Sequence, residues 1–70
     1  MRLKRFEIVH DYLFKLYFED GTFKEVDLEK LIKSKVSKEE IKTAHIDNDW
    51  GCLEFNGGRV DISPKTLYSY

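Results

Sequence analysis

The sequence predicts an α+β fold, a mainly antiparallel sheet of about five to six short strands, and three observations predict it. Runs rich in aromatic and β-branched residues recur at close spacing. Asp20-Gly21 and Asn56-Gly57 mark hairpin turns between such runs. Helical patterning is confined to one or two short helices between the third and fourth strands and a closing helical turn at the C-terminus.

The first two strands are Leu3 to Val9 and Tyr12 to Phe18, separated by His10-Asp11, a spacing that suits a two-residue connection. Tyr12, Phe14, Leu16 and Phe18 alternate with Leu13, Lys15, Tyr17 and Glu19, and this period of two assigns the even positions to the core. Asp20-Gly21 then predicts a type I′ turn, because glycine accepts positive φ without a Cβ penalty, and a third strand runs from Thr22 to Val26. Asp27 stands where its carboxylate can accept from the free amides of a short helix whose apolar stripe is Leu28, Leu31 and Ile32. Ser37-Lys38-Glu39-Glu40 has the capping-box pattern and opens a second helical turn that ends near Lys42.

A second antiparallel pair follows, Ala44 to Asp47 with Cys52 to Phe55, joined through Asn48-Asp49-Trp50-Gly51. Asn56-Gly57 turns the chain into Val60-Asp61-Ile62, and Ser63-Pro64 is an N-cap with proline at the first helical position, which predicts a helical turn over Lys65 to Tyr68.

Seventy residues make a single domain, 1–70, because a chain this short buries only about 60% of its unfolded surface and cannot divide its core. Five Phe, four Tyr and one Trp supply much of the apolar area. Twelve Lys plus Arg stand against 13 Asp plus Glu, a net charge of -1, without the basic excess of a dedicated nucleic-acid binder. One cysteine forms no internal disulfide and, with a charged N-terminus that lacks a signal-peptide core, implies a cytoplasmic protein. No stretch approaches a membrane span.

No residue set predicts catalysis, metal binding or a cofactor. His10 and His45 have no partners at zinc or facial-triad spacing, Cys52 opens an apolar strand without a base beside it, and phosphate-loop and nucleophile-elbow patterns are absent. The acidic pairs Glu19-Asp20, Glu39-Glu40 and Asp47 with Asp49 each have a turn or cap to serve.

Two features point to partners. Leu13 and Tyr17 fall on the reverse side of the second strand and Trp50 sits in a turn, more apolar area than one thin sheet face hides, and these three form the candidate protein-binding set. Lys30, Lys33, Lys35, Lys38 and Lys42 surround the helical region and could meet phosphate or an acidic partner, although lysines spread over exposed faces also serve solubility.

Asp11-Tyr12-Leu13 leading into Phe18-Glu19-Asp20-Gly21, then Val26-Asp27-Leu28 with Leu31, and finally Asn56-Gly57, Asp61-Ile62, Pro64 and Leu67-Tyr68 together resemble the bacterial domain-of-unknown-function family 2442 over nearly the whole chain. Family members commonly carry Trp-Pro before the Asn-Gly turn, where this chain has Glu54-Phe55, and Gly58 is an extra residue. The resemblance implies a small α+β fold, often encoded beside a small protein of domain-of-unknown-function family 4160 in a toxin-antitoxin-like arrangement. It supplies no catalytic residues. The expected function is therefore a non-catalytic protein-interaction module, antitoxin-like or accessory to a small neighbouring gene product or paired with its own copy. The alternative is a nucleic-acid-binding or regulatory domain using the lysines.

Overall fold

The computed structural model describes all residues, Met1–Tyr70. Its strands are β1 (Leu3–His10), β2 (Leu13–Phe18), β3 (Phe23–Asp27), β4 (His45–Ile46), β5 (Leu53–Phe55) and β6 (Val60–Ile62), and its α-helices are α1 (Glu29–Ile32) and α2 (Pro64–Ser69). A 3₁₀ segment, Lys38–Thr43, lies between α1 and β4. The α+β class stands, and both sheets are antiparallel.

The single sheet expected from the sequence is instead two sheets of three strands, β1-β2-β3 and β4-β5-β6. The sixteen residues between Leu28 and Thr43 carry the chain away from the first sheet, and β4 pairs with β5 rather than with β1 or β3. One backbone bond ties the two sheets at the edge of β1, the Leu3 amide donating to the Gly51 carbonyl at 3.2 Å.

The core forms where the period of two predicts it. Tyr12, Phe14, Leu16 and Phe18 are all buried, in a single cluster with Leu3, Leu28, Ile32, Val36, Ile41, Leu53, Phe55, Ile62 and Leu67. Phe14 joins the layers, 5.9 Å from the Phe6 ring and edge-on to Phe55 at 6.1 Å. Leu28, Ile32 and Val36 recur every fourth residue, so the helical segment presents one apolar stripe to the inner face of the first sheet.

The turns differ from expectation in instructive ways. Asp11 and Tyr12, not His10 and Asp11, connect β1 to β2, a turn shifted by one residue in which Asp11 takes φ 47 and Tyr12 still enters the core. There its hydroxyl donates to the Val36 carbonyl at 2.6 Å, and its own carbonyl accepts from the Leu28 amide at 2.9 Å. The β2–β3 turn is not type I′. The Gly21 amide donates to the Phe18 carbonyl at 3.0 Å and the Phe18 amide donates to the Thr22 carbonyl at 2.9 Å, a longer turn with Gly21 at φ 89 in its bulge position. The third strand accordingly begins at Phe23. Asn56 and Gly57 both adopt positive φ, and the extra Gly58 makes the β5–β6 connection four residues long, since Phe55 pairs with Val60.

The caps form as the sequence specifies. The Asp27 carboxylate accepts from the Glu29 amide at 2.9 Å, and the Ser37 amide donates to Glu40 Oε1 at 2.8 Å. Ser63 accepts from the Thr66 amide at 3.2 Å, with Pro64 in the first turn of α2. α2 is then tied to the first sheet. Lys24 Nζ donates to the Leu67 and Tyr68 carbonyls at 3.2 and 3.1 Å, Tyr68 packs edge-on to Phe18 at 5.0 Å, and its hydroxyl donates to Asp20 Oδ2 at 3.1 Å.

Candidate interaction surface

Because alternate residues of a strand face opposite sides, burying the even positions of β2 sends Leu13, Lys15 and Tyr17 to the outer face of the first sheet. All three are half-buried, and neither Leu13 nor Tyr17 joins the core cluster. Register supplies their neighbours. Arg5 and Phe23 lie opposite Tyr17, Glu7 and Glu25 opposite Lys15, and His10 and Asp27 opposite Leu13.

The Tyr17 row, at one end of this face, is built by contact. The Arg5 guanidinium sits 3.8 Å from the centre of the Tyr17 ring, and Tyr17 lies against Phe23 with ring centres 4.9 Å apart. Arg5 also donates to Glu7 Oε2 at 3.0 Å, and that bond is the main cause that raises the guanidinium's pKa above its usual value. Phe23 keeps 51% of its surface exposed. Arg5 and Phe23 were not among the residues that sequence reading singled out. The signal for both was pairing register, which depended on a first turn shifted by one residue and a second turn longer than expected.

Trp50 occupies a different place, the β4–β5 connection, and is 75% exposed. The loop beneath it is held firmly. Asp47 accepts from the Trp50 amide at 3.0 Å, the Gly51 amide donates to the Asp47 carbonyl at 2.7 Å, and Arg2 donates to the Asp49 carbonyl at 2.7 Å and to the Asn48 carbonyl. Arg2 Nε is also 3.3 Å from Glu19. Trp50 stacks on no other ring, so the three sequence-predicted docking residues divide into a pair on one sheet face and a single indole on a braced loop.

Lys30, Lys33, Lys35, Lys38 and Lys42 are all exposed around the helical region, but carboxylates are interspersed among them. Lys33 pairs with Glu29 at 3.8 Å and Lys38 approaches Asp11 at 4.0 Å. Lys30 and Lys33 share a shallow hollow of about 280 Å³ with Asp27, Glu29 and Tyr70, a lining of mixed sign rather than a phosphate cradle.

Elsewhere the reactive residue types have local tasks. Burial, followed by the charges of Asp61, Asp47 and Glu54, pushes the half-buried Cys52 thiol up, which disfavours the thiolate. His45 Nε2 lies 2.8 Å from Glu54, and His10 lies 3.4 Å from Asp11. No three His, Cys, Asp or Glu side chains converge as a metal site, and no helix is long and apolar enough to cross a membrane.

No curated protein and no solved structure matches the chain. A family model does, over residues 3–70, so the blocks from Asp11 to Leu31 and from Asn56 to Tyr68 lie within one continuous match. The chain belongs to the family described as "Protein of unknown function (DUF2442)".

Proposed function

We propose that this chain is a non-catalytic protein-interaction module, antitoxin-like or accessory to a small protein encoded beside it, and that it receives that partner on the outer face of the first sheet. The observation that supports this reading is the contact of Tyr17 with Phe23 outside the core, with Arg5 laid over Tyr17 and Leu13 further along the same face. Aromatic residues with an adjacent arginine are the types that carry most binding energy at protein interfaces, since they bury large area at small conformational cost. The charged row of Glu7, Lys15 and Glu25 crosses the face between Tyr17 and Leu13 and supplies polar contacts next to the aromatic pair. Trp50 adds an anchor whose loop is already ordered, so little entropy is lost when it docks.

Co-expression of the chain with its neighbouring gene product, followed by purification through a tag on the neighbour, tests the proposal. Copurification that persists as salt rises, and that Tyr17→Glu abolishes without precipitating the chain, supports an aromatic docking face. Absence of copurification overturns it. Nucleic acid bound by the pure chain, with affinity falling steeply as salt rises and reduced by neutralising Lys30, Lys33, Lys35, Lys38 and Lys42, would favour the regulatory alternative instead.

A further inference from the structure

The edge of β1 carries a surface that fits a second copy of itself. β1 has a strand on one side only, β2. On its other side the Leu3 amide has the Gly51 carbonyl, and the strand beyond it has no further backbone partner. Edges of this kind are usually protected, by bulges or by charge that repels a second strand. Here register shifts fall between Leu3 and Arg5 and between Ile8 and His10, leaving Arg5 to Ile8 as the regular stretch. Ile8, on the core-facing side of that stretch, is still 41% exposed, and Val9 beside it 43%.

The charges of this stretch do not repel a copy. Two β1 strands aligned antiparallel about Phe6 set Arg5 opposite the copy's Glu7, and Glu7 opposite the copy's Arg5. Arg5 and Glu7 lie on the same face, since each pairs with an outer-face residue of β2, and they already meet within the chain at 3.0 Å, so across the dyad the four groups form one cluster of alternating sign on one side of the ribbon. Phe6 meets its own copy on the core side, with Ile8 diagonal to it. The arrangement is isologous, each strand presenting the same patch to the other.

We infer that β1 is a homodimer edge, at which two copies of this chain join antiparallel about Phe6 into one continuous six-stranded sheet. The regular stretch is short, so the dimer is weak and dissociates on dilution. The inference goes beyond the proposed function, because it uses the backbone edge of β1; its Arg5–Glu7 cross-pairs lie at the margin of the outer face and leave Tyr17, Phe23 and Leu13 uncovered for an unlike partner.

Charge exchange tests it. Arg5→Glu sets Glu opposite Glu across the dyad, and Glu7→Arg sets Arg opposite Arg. Either alone turns both attractive pairs repulsive, yet a mixture of the two variants restores opposite charges at both pairs. Sedimentation of the pure wild-type chain over a micromolar-to-millimolar series is expected to rise from 8.3 kDa toward twice that mass. Each single variant remains at monomer mass over the same series, with circular dichroism confirming that it is folded, and an equimolar mixture recovers the concentration-dependent rise. A wild-type chain that stays monomeric throughout overturns the inference, as do single variants that dimerise like wild type or a mixture that stays monomeric. The readout is self-association of the pure chain, so failure here leaves the docking proposal standing.

Discussion

Tyr12 and Gly21 show how single residues set the first sheet. Tyr12 is buried with its hydroxyl on the Val36 carbonyl, and Val36 is itself buried, so that carbonyl has no water to turn to. Tyr12→Phe keeps the ring and orphans the acceptor, and a loss of about 1 to 3 kcal/mol is expected in denaturant melts; an unchanged midpoint would show that the bond carries no stability. Gly21 and Gly51 both adopt positive φ, but they differ in surroundings. A Cβ on Gly21 meets nothing within 4 Å, whereas one on Gly51 would stand 2.8 Å from the Arg2 Cβ. Gly21→Val should therefore cost on the order of 1 kcal/mol or more, from backbone strain. Gly51→Ala should cost more than Gly21→Ala, because the clash is added to the strain. Equal melting temperatures for the two alanine variants would contradict the packing of Arg2 against the Trp50 loop.

The carboxylates of Asp20 and Glu40 also act locally. The Thr22 backbone amide, then the Thr22 side chain, hold Asp20 below its usual pKa, and the Ser37 amide does the same for Glu40. A lowered folded-state pKa contributes stability that is complete above the unfolded value and is lost as pH falls through the folded one. Melting temperature should then decline as pH falls from about 6 to about 3. The decline should be shallower in the Asp20→Asn, Glu40→Gln double variant, and the same slope in variant and wild type would remove these two groups from the acid response.

At the scale of elements, the closing helix is the clearest dependency. α2 has only six residues, too short to persist alone, and is held by Leu67 in the core, by Lys24 on its last carbonyls and by Tyr68 on Phe18 and Asp20. Deleting Leu67 to Tyr70 should destabilise the whole domain, by about 2 kcal/mol or more, since it removes a fully buried leucine and the Tyr68 ring together. Retention of the wild-type midpoint would make this end dispensable.

The same elements show what was legible. Period two in Tyr12 to Phe18 declared the core face of β2, and Ser63-Pro64 and the Ser37 to Glu40 box declared two helical starts, because these signals act over a few residues. Three other features depended on distant residues. The Tyr12 hydroxyl finds its acceptor at Val36, twenty-four positions away. Lys24 carries no local mark of its role at α2. The pairing of β4 with β5 was readable from the turn between them, but no local pattern announces that this pair stays apart from β1 and β3 as a second sheet. The candidate site followed the same rule. Leu13 and Tyr17 were readable from alternation within one strand, whereas Arg5 and Phe23 required the pairing registers on either side of it.

For the molecule as a whole, the inner face of the first sheet is closed by the helical segment and the second sheet, and the outer face keeps its aromatic row with charges beside it. The proposed division of labour gives the inner face to folding and the outer face to a partner, and partner footprinting distinguishes the two. Amide shifts of the isotopically labelled chain should be followed as the purified neighbouring gene product is added. Changes should concentrate at Arg5, Leu13, Tyr17 and Phe23, with Trp50 as a second focus, while Lys30 to Lys42 stay unmoved. Changes confined to the lysine-rich helical region, with the outer face silent, would contradict that division.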